Sequence, residues 1–270
     1  MTTVHPRENS VKYGETSPPS IDSPQCNPGQ VAQDRPSAIP LHSKVTFDFD
    51  EGEILLINKP IDWTSFDVVK KVKHLFHIGK IGHAGTLDPK ATGLLILCTG
   101  KKTKTIEEFK NFDKEYEGDL ELGAWTRSFD AETEIEERRS IEGITEADIR
   151  RVFQEFVGVR EQVPPMYSAL KYGGKPLYHY ARRGREVIRE KRSIEITACD
   201  VATIAFPLVG FRIVCSKGTY IRSLAHDIGG RLGCGAYLRR LIRTRVGSYR
   251  LENAWTIEEL ARFNPDRTSE

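Results

Sequence analysis

Residues 113–123, DKEYEGDLELG, alternate strictly in polarity, and this period of two constrains the fold more than any other feature of the chain. One face carries Tyr116, Gly118, Leu120 and Leu122, and charged residues occupy the other. Successive side chains of a strand point to opposite faces of a sheet, so the pattern predicts a strand with one buried and one half-exposed face.

Other segments show strand or helix patterns. Apolar or alternating runs predict strands at 52–59, 94–98, 193–203, 208–215 and 237–248. Helical spacing of apolar residues predicts helices after Thr64, after Thr145, over 219–233 and after Thr256. The glycine pair in 171–175 predicts a turn. Because the strands and helices alternate irregularly, we expect an α+β domain around a mixed, mostly antiparallel sheet flanked by helices.

Two of the helices carry a start signal. Thr64 is followed three residues later by Asp67, and Thr145 by Asp148. This spacing is typical of a capping box, in which the threonine and the acid satisfy each other's free backbone N–H groups. In the first helix we expect apolar residues 66, 69, 72, 75 and 76 to face the core.

The first 44 residues differ in composition from the rest. They hold seven of the fourteen prolines and almost no apolar periodicity. Such a segment buries too little surface to offset its chain entropy, which predicts a disordered tail at 1–44 and a folded catalytic domain at 45–270.

Charge and cysteine content limit the class of protein. The net charge is only +2, but residues 212–250 hold nine Arg or Lys and a single acid, and a second basic stretch covers 171–192. Tyrosines interleave with both stretches, a combination that suits RNA phosphates and unstacked bases. The longest apolar run, 201–211, is too short to cross a bilayer. Five cysteines without CxxC spacing favour reduced thiols, so we expect a cytoplasmic protein.

The segment GHAGTLDPKATGLL, residues 82–95, presents a single carboxylate, Asp88, in a glycine-rich turn. Asp before Pro commonly forms a turn, yet the glycines also allow close approach of a bulky partner. No second acid lies near enough for a metal site, and His74 and His77 lack a third ligand. Asp88 therefore remains a candidate nucleophile or base, and Arg222 or Lys217 could supply the cation that keeps it ionised.

Five segments together resemble the bacterial TruB family of tRNA pseudouridine-55 synthases, in order and spacing. They are INKPIDWTSFDVVKKVK, GHAGTLDPKATGLL, KEYEGDLELG, VPPMYSALKYGGKPLYHYARRG and CSKGTYIRSLAHDIG. The resemblance covers about residues 51–250 and implies a pseudouridine synthase-like fold. It also implies isomerisation of uridine 55 in the tRNA T-loop to pseudouridine, by base flipping and without cofactor or metal, with a further role in tRNA folding.

The resemblance implies catalytic roles for three residues. Asp88 matches the family's essential aspartate, and Tyr116 matches the tyrosine that stacks on the target base. Arg222 matches the arginine that pairs with the aspartate. The carboxylate could attack the sugar, attack the base or assist elimination, and all three routes stay open here.

Binding residues follow from the same resemblance. Tyr220 matches a contact to the flipped nucleotide, Leu238 a wall of the uracil pocket and His83 a residue that stacks into the T-loop. By charge alone we assign phosphate contacts to Lys59, Lys171, Arg182, Arg183, Arg239, Arg240 and Arg243.

The chain departs from the family pattern in two ways. Asp62 stands where the family usually has glycine, and Asp also tolerates turn geometry. Only about twenty residues follow Tyr249, so we expect no C-terminal PUA domain and contact concentrated on the T-arm of tRNA. We expect a monomer that needs no protein partner and no membrane.

Two alternative functions remain open at this stage. One is an RNA-binding or tRNA-folding module that has lost catalysis, and the other is a guide-RNA-dependent uridine isomerase.

Overall fold

A computed structural model describes residues 47–263, and the tail predicted at 1–44 lies outside the described residues. Nine strands within this range form one sheet: β1 (Ile54–Lys59), β2 (Ile81–Ala84), β3 (Ala91–Thr99), β4 (Lys114–Leu122), β7 (Gly158–Gln162), β10 (Arg192–Ala205), β11 (Leu208–Cys215), β12 (Ala236–Val246) and β13 (Tyr249–Arg250). Two hairpins stand apart from it, β5 (Ala124–Thr126) with β6 (Ile135–Arg138), and β8 (Lys171–Tyr172) with β9 (Lys175–Pro176).

The strand order in the large sheet is β1-β3-β12-β4-β11-β10-β7, with β2 beside β3 and β13 beside β12. β3 and β12 run parallel, and the other pairs run antiparallel. The prediction of an α+β domain with a mixed, mostly antiparallel sheet is confirmed.

The alternation that predicted β4 has its expected structural meaning. β4 lies between β11 and β12, and its apolar positions are buried while its four acidic residues are half-buried or exposed. A Cβ on Gly118 would lie 2.2 Å from the Arg240 carbonyl oxygen. Only glycine therefore allows β12 to approach β4 this closely.

Six α-helices accompany the strands in the described part of the chain: α1 (Ser65–Leu75), α2 (Ile106–Asn111), α3 (Glu146–Glu155), α4 (Leu177–Ala181), α5 (Ile221–Leu232) and α6 (Ile257–Phe263). Both capping boxes form as the sequence predicted, at Thr64 and at Thr145. One expectation for α1 is wrong, because Phe66 is 58 % exposed and Val68 takes its place in the core.

Helices cover the sheet in two main clusters of buried apolar residues. α3 and α5 pack against strands β4, β10 and β11, and α1 and α6 pack against β1 and β3. The four cysteines within residues 47–263 are buried free thiols. No helix among these residues is long and apolar enough to span a membrane.

The site described below follows from a strand that the sequence did not predict. β2 pairs with the C-terminal half of β3, so residues 85–90 form the connection between them. The same half of β3 pairs with β1 on its other side, and its N-terminal end meets β12. The Asp88 turn therefore lies where the edge of β3 passes from pairing with β2 to pairing with β12.

Candidate functional site

The connection between β2 and β3 is held by its own turn and by the start of α1. The Ala91 N–H donates to the Asp88 carbonyl at 3.0 Å, which closes the turn. The Ser65 hydroxyl oxygen accepts from the Leu87 N–H at 2.9 Å and donates to the Leu87 carbonyl at 3.2 Å. Both the N–H and the carbonyl of Leu87, the residue directly before Asp88, are therefore hydrogen-bonded to Ser65.

Lys59 stabilises the same turn through its buried ammonium group. Its side chain is fully buried, and the ammonium group donates to the carbonyls of Pro60, Trp63 and Pro89 at 2.8, 2.6 and 3.3 Å. Burial lowers the pKa of Lys59 to about 8, although the nearby Asp88 acts in the opposite direction. The expected phosphate contact is wrong for this residue, because an enclosed ammonium cannot reach a phosphate.

Asp88 and Arg222 meet in the folded chain, 134 positions apart in sequence. The Arg222 Nε atom lies 2.9 Å from the Asp88 Oδ2 atom. The arginine side chain is 3 % exposed, whereas the aspartate side chain is 38 % exposed. A buried cation thus forms an ion pair with a carboxylate that is still partly exposed.

Three further groups fix the Arg222 guanidinium. Its Nη1 donates to the Ser128 carbonyl at 3.2 Å and its Nη2 to the Tyr167 carbonyl at 2.7 Å. The Asp130 Oδ2 atom lies 3.5 Å from Nε. The arginine therefore cannot move away from Asp88 without leaving buried partners unpaired.

Asp130 is the residue of this cluster that the sequence analysis missed. Nothing in the sequence relates it to Arg222. Burial raises the pKa of Asp130, although Arg222 acts to lower it. Burial alone would lower the pKa of Arg222, but Asp88 and Asp130 outweigh it and raise that pKa above its ordinary value.

A cavity of about 660 Å³ opens beside the Asp88 carboxylate. Asp88, Tyr116, Tyr220 and Arg222 all line it. Burial raises the pKa of both tyrosines, which keeps their hydroxyls protonated near neutral pH. Leu238 lines a small adjoining recess together with Asp88 and Arg222. Four elements distant in sequence thus supply one concave site.

Arg243 has a different position from the one that its charge suggested. It is 1 % exposed, and it donates from Nε to the Leu94 carbonyl at 2.8 Å and from Nη2 to the Gly85 carbonyl at 3.0 Å. It also pairs across the strands with Tyr116. The expected phosphate contact is wrong here too, because the guanidinium is used to join β12 to the start of the Asp88 turn.

His83 lies on β2, two residues before the turn begins. Burial lowers its pKa, and the positive charge of Arg243 acts in the same direction. The ring is half-buried and does not line the cavity. The structure brings His83 near the site without placing it inside.

The remaining assigned cations lie on the surface. Lys171, Arg182, Arg183, Arg239 and Arg240 are all exposed. Arg240 is paired with Asp119 at 2.6 Å, and Arg182 with Glu132 at 3.2 Å.

Cations that the sequence analysis did not assign to phosphates also line the cavity. They are Lys110, Lys114, Arg192 and Lys217. Lys110 is paired with Glu107 at 2.5 Å, and burial lowers the pKa of Lys114 to about 8. Lys217 donates to the Asn111 side-chain oxygen at 2.7 Å, a neutral partner that leaves its charge uncompensated. The cavity can therefore receive an anion.

Within residues 47–263, no group of three or more His, Cys, Asp or Glu side chains is arranged to hold a metal ion.

Two family models match the chain. The N-terminal domain of TruB family pseudouridylate synthases matches residues 73–221, and a C-terminal domain of tRNA pseudouridylate synthase B matches residues 222–268. The first match covers more than half of the chain, and the boundary between them falls directly before Arg222.

Curated relatives and solved structures agree with these models. The chain is 48% identical over 219 residues to a tRNA pseudouridine synthase B of Phocaeicola vulgatus, covering 78% of this chain and 92% of the relative. It is also 48% identical to the same-named protein of Chlorobaculum tepidum, covering 77% and 89%.

Among solved structures, a chain of a Cbf5-Nop10-Gar1 complex is similar with 31% identity and a TM-score of 0.63. This similarity covers 79% of the present chain and 54% of that one, so the present chain spans about half its length. An H/ACA RNP bound to a substrate RNA containing 2'-deoxyuridine is similar with 27% identity and a TM-score of 0.61, covering 82% and 57%.

Proposed function

Since the chain belongs to the TruB family and is a tRNA pseudouridine synthase, we propose that it isomerises uridine 55 in the T-loop of tRNA, with Asp88 as the essential carboxylate. One observation carries the proposal. The Asp88 side chain, 38 % exposed, faces the cavity while its Oδ2 atom lies 2.9 Å from the buried Arg222 guanidinium. A module that only binds RNA has no need for such a carboxylate, because it would repel phosphates.

The cavity must receive a base that has left the stack. The glycosidic bond of a stacked loop nucleotide is out of reach, so the uridine has to be extruded into the protein. Tyr116 and Tyr220 offer aromatic faces beside Asp88, and Leu238 adds an apolar surface. We assign these three residues to the uracil ring, and His83, on β2 just before the Asp88 turn, to the loop that the base leaves.

The chemistry begins from an ionised carboxylate. Attack on the ribose, attack on the base and assistance to elimination all require Asp88 without its proton. The Arg222 Nε atom lies 2.9 Å from the Asp88 Oδ2 atom and positions the carboxylate at the cavity. The bond between ribose C1' and uracil N1 is broken, the uracil turns, and a bond between C1' and C5 forms. C5 releases its proton and N1 takes up a proton, so the product is an isomer of uridine.

Two of the cations that line the cavity are candidates for phosphate contacts. Arg192 and Lys217 carry charges that no carboxylate neutralises in the described chain, so we assign them to phosphates flanking the flipped nucleotide. The exposed Lys171, Arg182, Arg183, Arg239 and Arg240 extend the contact along the T-arm.

We further propose that the protein acts as a monomer in the cytoplasm, without cofactor, metal, protein partner or guide RNA. The solved structures of similar fold include complexes with Nop10 and Gar1. Activity on bare tRNA separates the two modes of action, because a guide-dependent enzyme would leave bare tRNA unchanged.

The experiment uses the purified chain and unmodified tRNA tritiated at C5 of uridine. We expect tritium release without any added protein or RNA, and a single carbodiimide-dependent stop in the T-loop at position 55. An isolated T-arm stem-loop should be modified, and a stem-loop with cytidine at the target position should not. Modification at another tRNA position would contradict the T-loop assignment, and no tritium release would contradict the stand-alone activity.

A further inference from the structure

Phe129 has a backbone conformation that bulky residues rarely adopt. Its φ angle is +63°, in the left-handed region that favours glycine. A phenylalanine in this region is strained and persists only where the surroundings hold it. The segment around it therefore needs an external support.

The two neighbours of Phe129 both contact Arg222. The Ser128 carbonyl accepts from Nη1, and the Asp130 carboxylate lies 3.5 Å from Nε. The Phe129 carbonyl itself accepts from the Leu238 N–H at 2.9 Å. A change in the Phe129 backbone would therefore move two partners of Arg222 and the backbone of Leu238 together.

One support comes from α5, in addition to the hydrogen bonds that the Thr126 and Ser128 hydroxyls donate to the Asp130 carbonyl. The Phe129 ring stacks on the His226 ring with centroids 4.0 Å apart and an angle of 16° between the planes. His226 lies four residues after Arg222, one turn along the same helix. Its Nδ1 atom is buried and makes no hydrogen bond to any residue in 47–263. His226 thus contacts Phe129 by ring stacking and not by a hydrogen bond through Nδ1.

We propose that Phe129 and His226 form a positioning pair for catalysis, which holds Ser128 and Asp130 against Arg222 and so orients Asp88. Neither ring lines the cavity that holds Asp88, Tyr116 and Tyr220. The pair therefore acts through Arg222 and not through contact with the substrate. The proposal rests on the proposed function, because its readout is the rate of uridine isomerisation.

His226→Ala removes the stack, and His226→Phe is the matched control that retains an aromatic face. We expect the alanine variant to lower kcat by about tenfold, because displacements near 1 Å at a reacting group can cost up to about a hundredfold. KM and the Kd for a T-arm stem-loop should be unchanged, since no RNA contact is lost. The phenylalanine variant should restore most of kcat.

Asp130→Asn tests whether the effect passes through Arg222. If the effect passes through Arg222, His226→Ala should lower kcat much less in the Asp130→Asn background than in the wild-type background. Substitutions that act through the same set of contacts are not additive. Circular dichroism and the thermal midpoint of each variant show whether it is folded at the assay temperature.

Three outcomes would overturn the proposal. They are a folded His226→Ala variant with wild-type kcat, a fall in kcat that His226→Phe does not restore, and full additivity with Asp130→Asn. Failure of the proposed function is a separate result, because wild-type protein would then release no tritium from a T-arm.

Discussion

Arg222→Met removes the cation on which the cluster is built and leaves Asp130 enclosed without a counter-ion. The Asp130 side chain is only 5 % exposed, so the variant must keep a buried charge or protonate the carboxylate. Protonating an Asp with an ordinary pKa of 3.8 at pH 7 costs about 4 kcal/mol. The carbonyls of Ser128 and Tyr167 also lose their donors, so we expect a total loss of about 4–6 kcal/mol in the free energy of unfolding.

This loss should depend on pH in a defined direction. Without Arg222, the pKa of Asp130 in the folded variant rises further above its unfolded value. The folded variant then binds more protons than the unfolded chain above pH 3.8, so its stability falls as pH rises. Between pH 7 and pH 5.5 the variant should regain about 2 kcal/mol relative to the wild type. Combining Arg222→Met with Asp130→Asn should recover part of the loss at pH 7 and remove most of its pH dependence.

Urea unfolding at both pH values, followed by tryptophan fluorescence, measures these differences. A loss below about 1 kcal/mol, or a double variant no more stable than Arg222→Met, would refute the reasoning. Either result would mean that Asp130 is not an enclosed charge that depends on Arg222.

Two further predictions concern the supports of the Asp88 turn. The pKa of Lys59 is about 8 in the folded chain and higher in the unfolded chain. At a pH between these two pKa values the unfolded chain binds more protons than the folded chain, so the free energy of unfolding rises with pH. Urea unfolding of the wild type should therefore gain about 1 kcal/mol over Lys59→Met between pH 7 and pH 9, and equal pH dependence would contradict the burial of this ammonium. Gly93→Ala should lose more than about 2 kcal/mol and slow turnover, since Gly93 has φ +100° and the new Cβ would lie 2.4 Å from the Arg243 carbonyl oxygen. Gly230→Ala is the control, because nothing lies within 4 Å of its new Cβ, and a Gly93→Ala variant as stable as this control would contradict the close approach of β12.

The sequence predicted those elements whose pattern is local. The alternation in β4 and the two capping boxes depend only on neighbouring residues, and all three form as expected. β2 was missed because four residues with two small members carry no clear period, and its pairing with β3 is set by the tertiary structure. Phe66 was placed in the core by spacing alone, whereas the helix turns Val68 inward instead.

The site was only partly predictable for the same reason. The family resemblance named Asp88 and Arg222, and the folded chain brings them to 2.9 Å. Lys59 and Arg243 were assigned to phosphates by charge alone. These assignments failed because the sequence does not reveal that a cation is enclosed by backbone carbonyls. Asp130 had no signal, since its meaning depends on a contact with a residue 92 positions away.

The most direct test of the central claim is the activity of Asp88→Asn. The substitution keeps the size of the side chain and removes the charge that faces the cavity. We expect single-turnover tritium release from a T-arm stem-loop to fall to background, while the Kd for that RNA stays close to the wild-type value. Release at the wild-type rate by a folded Asp88→Asn protein would show that Asp88 is not the essential carboxylate.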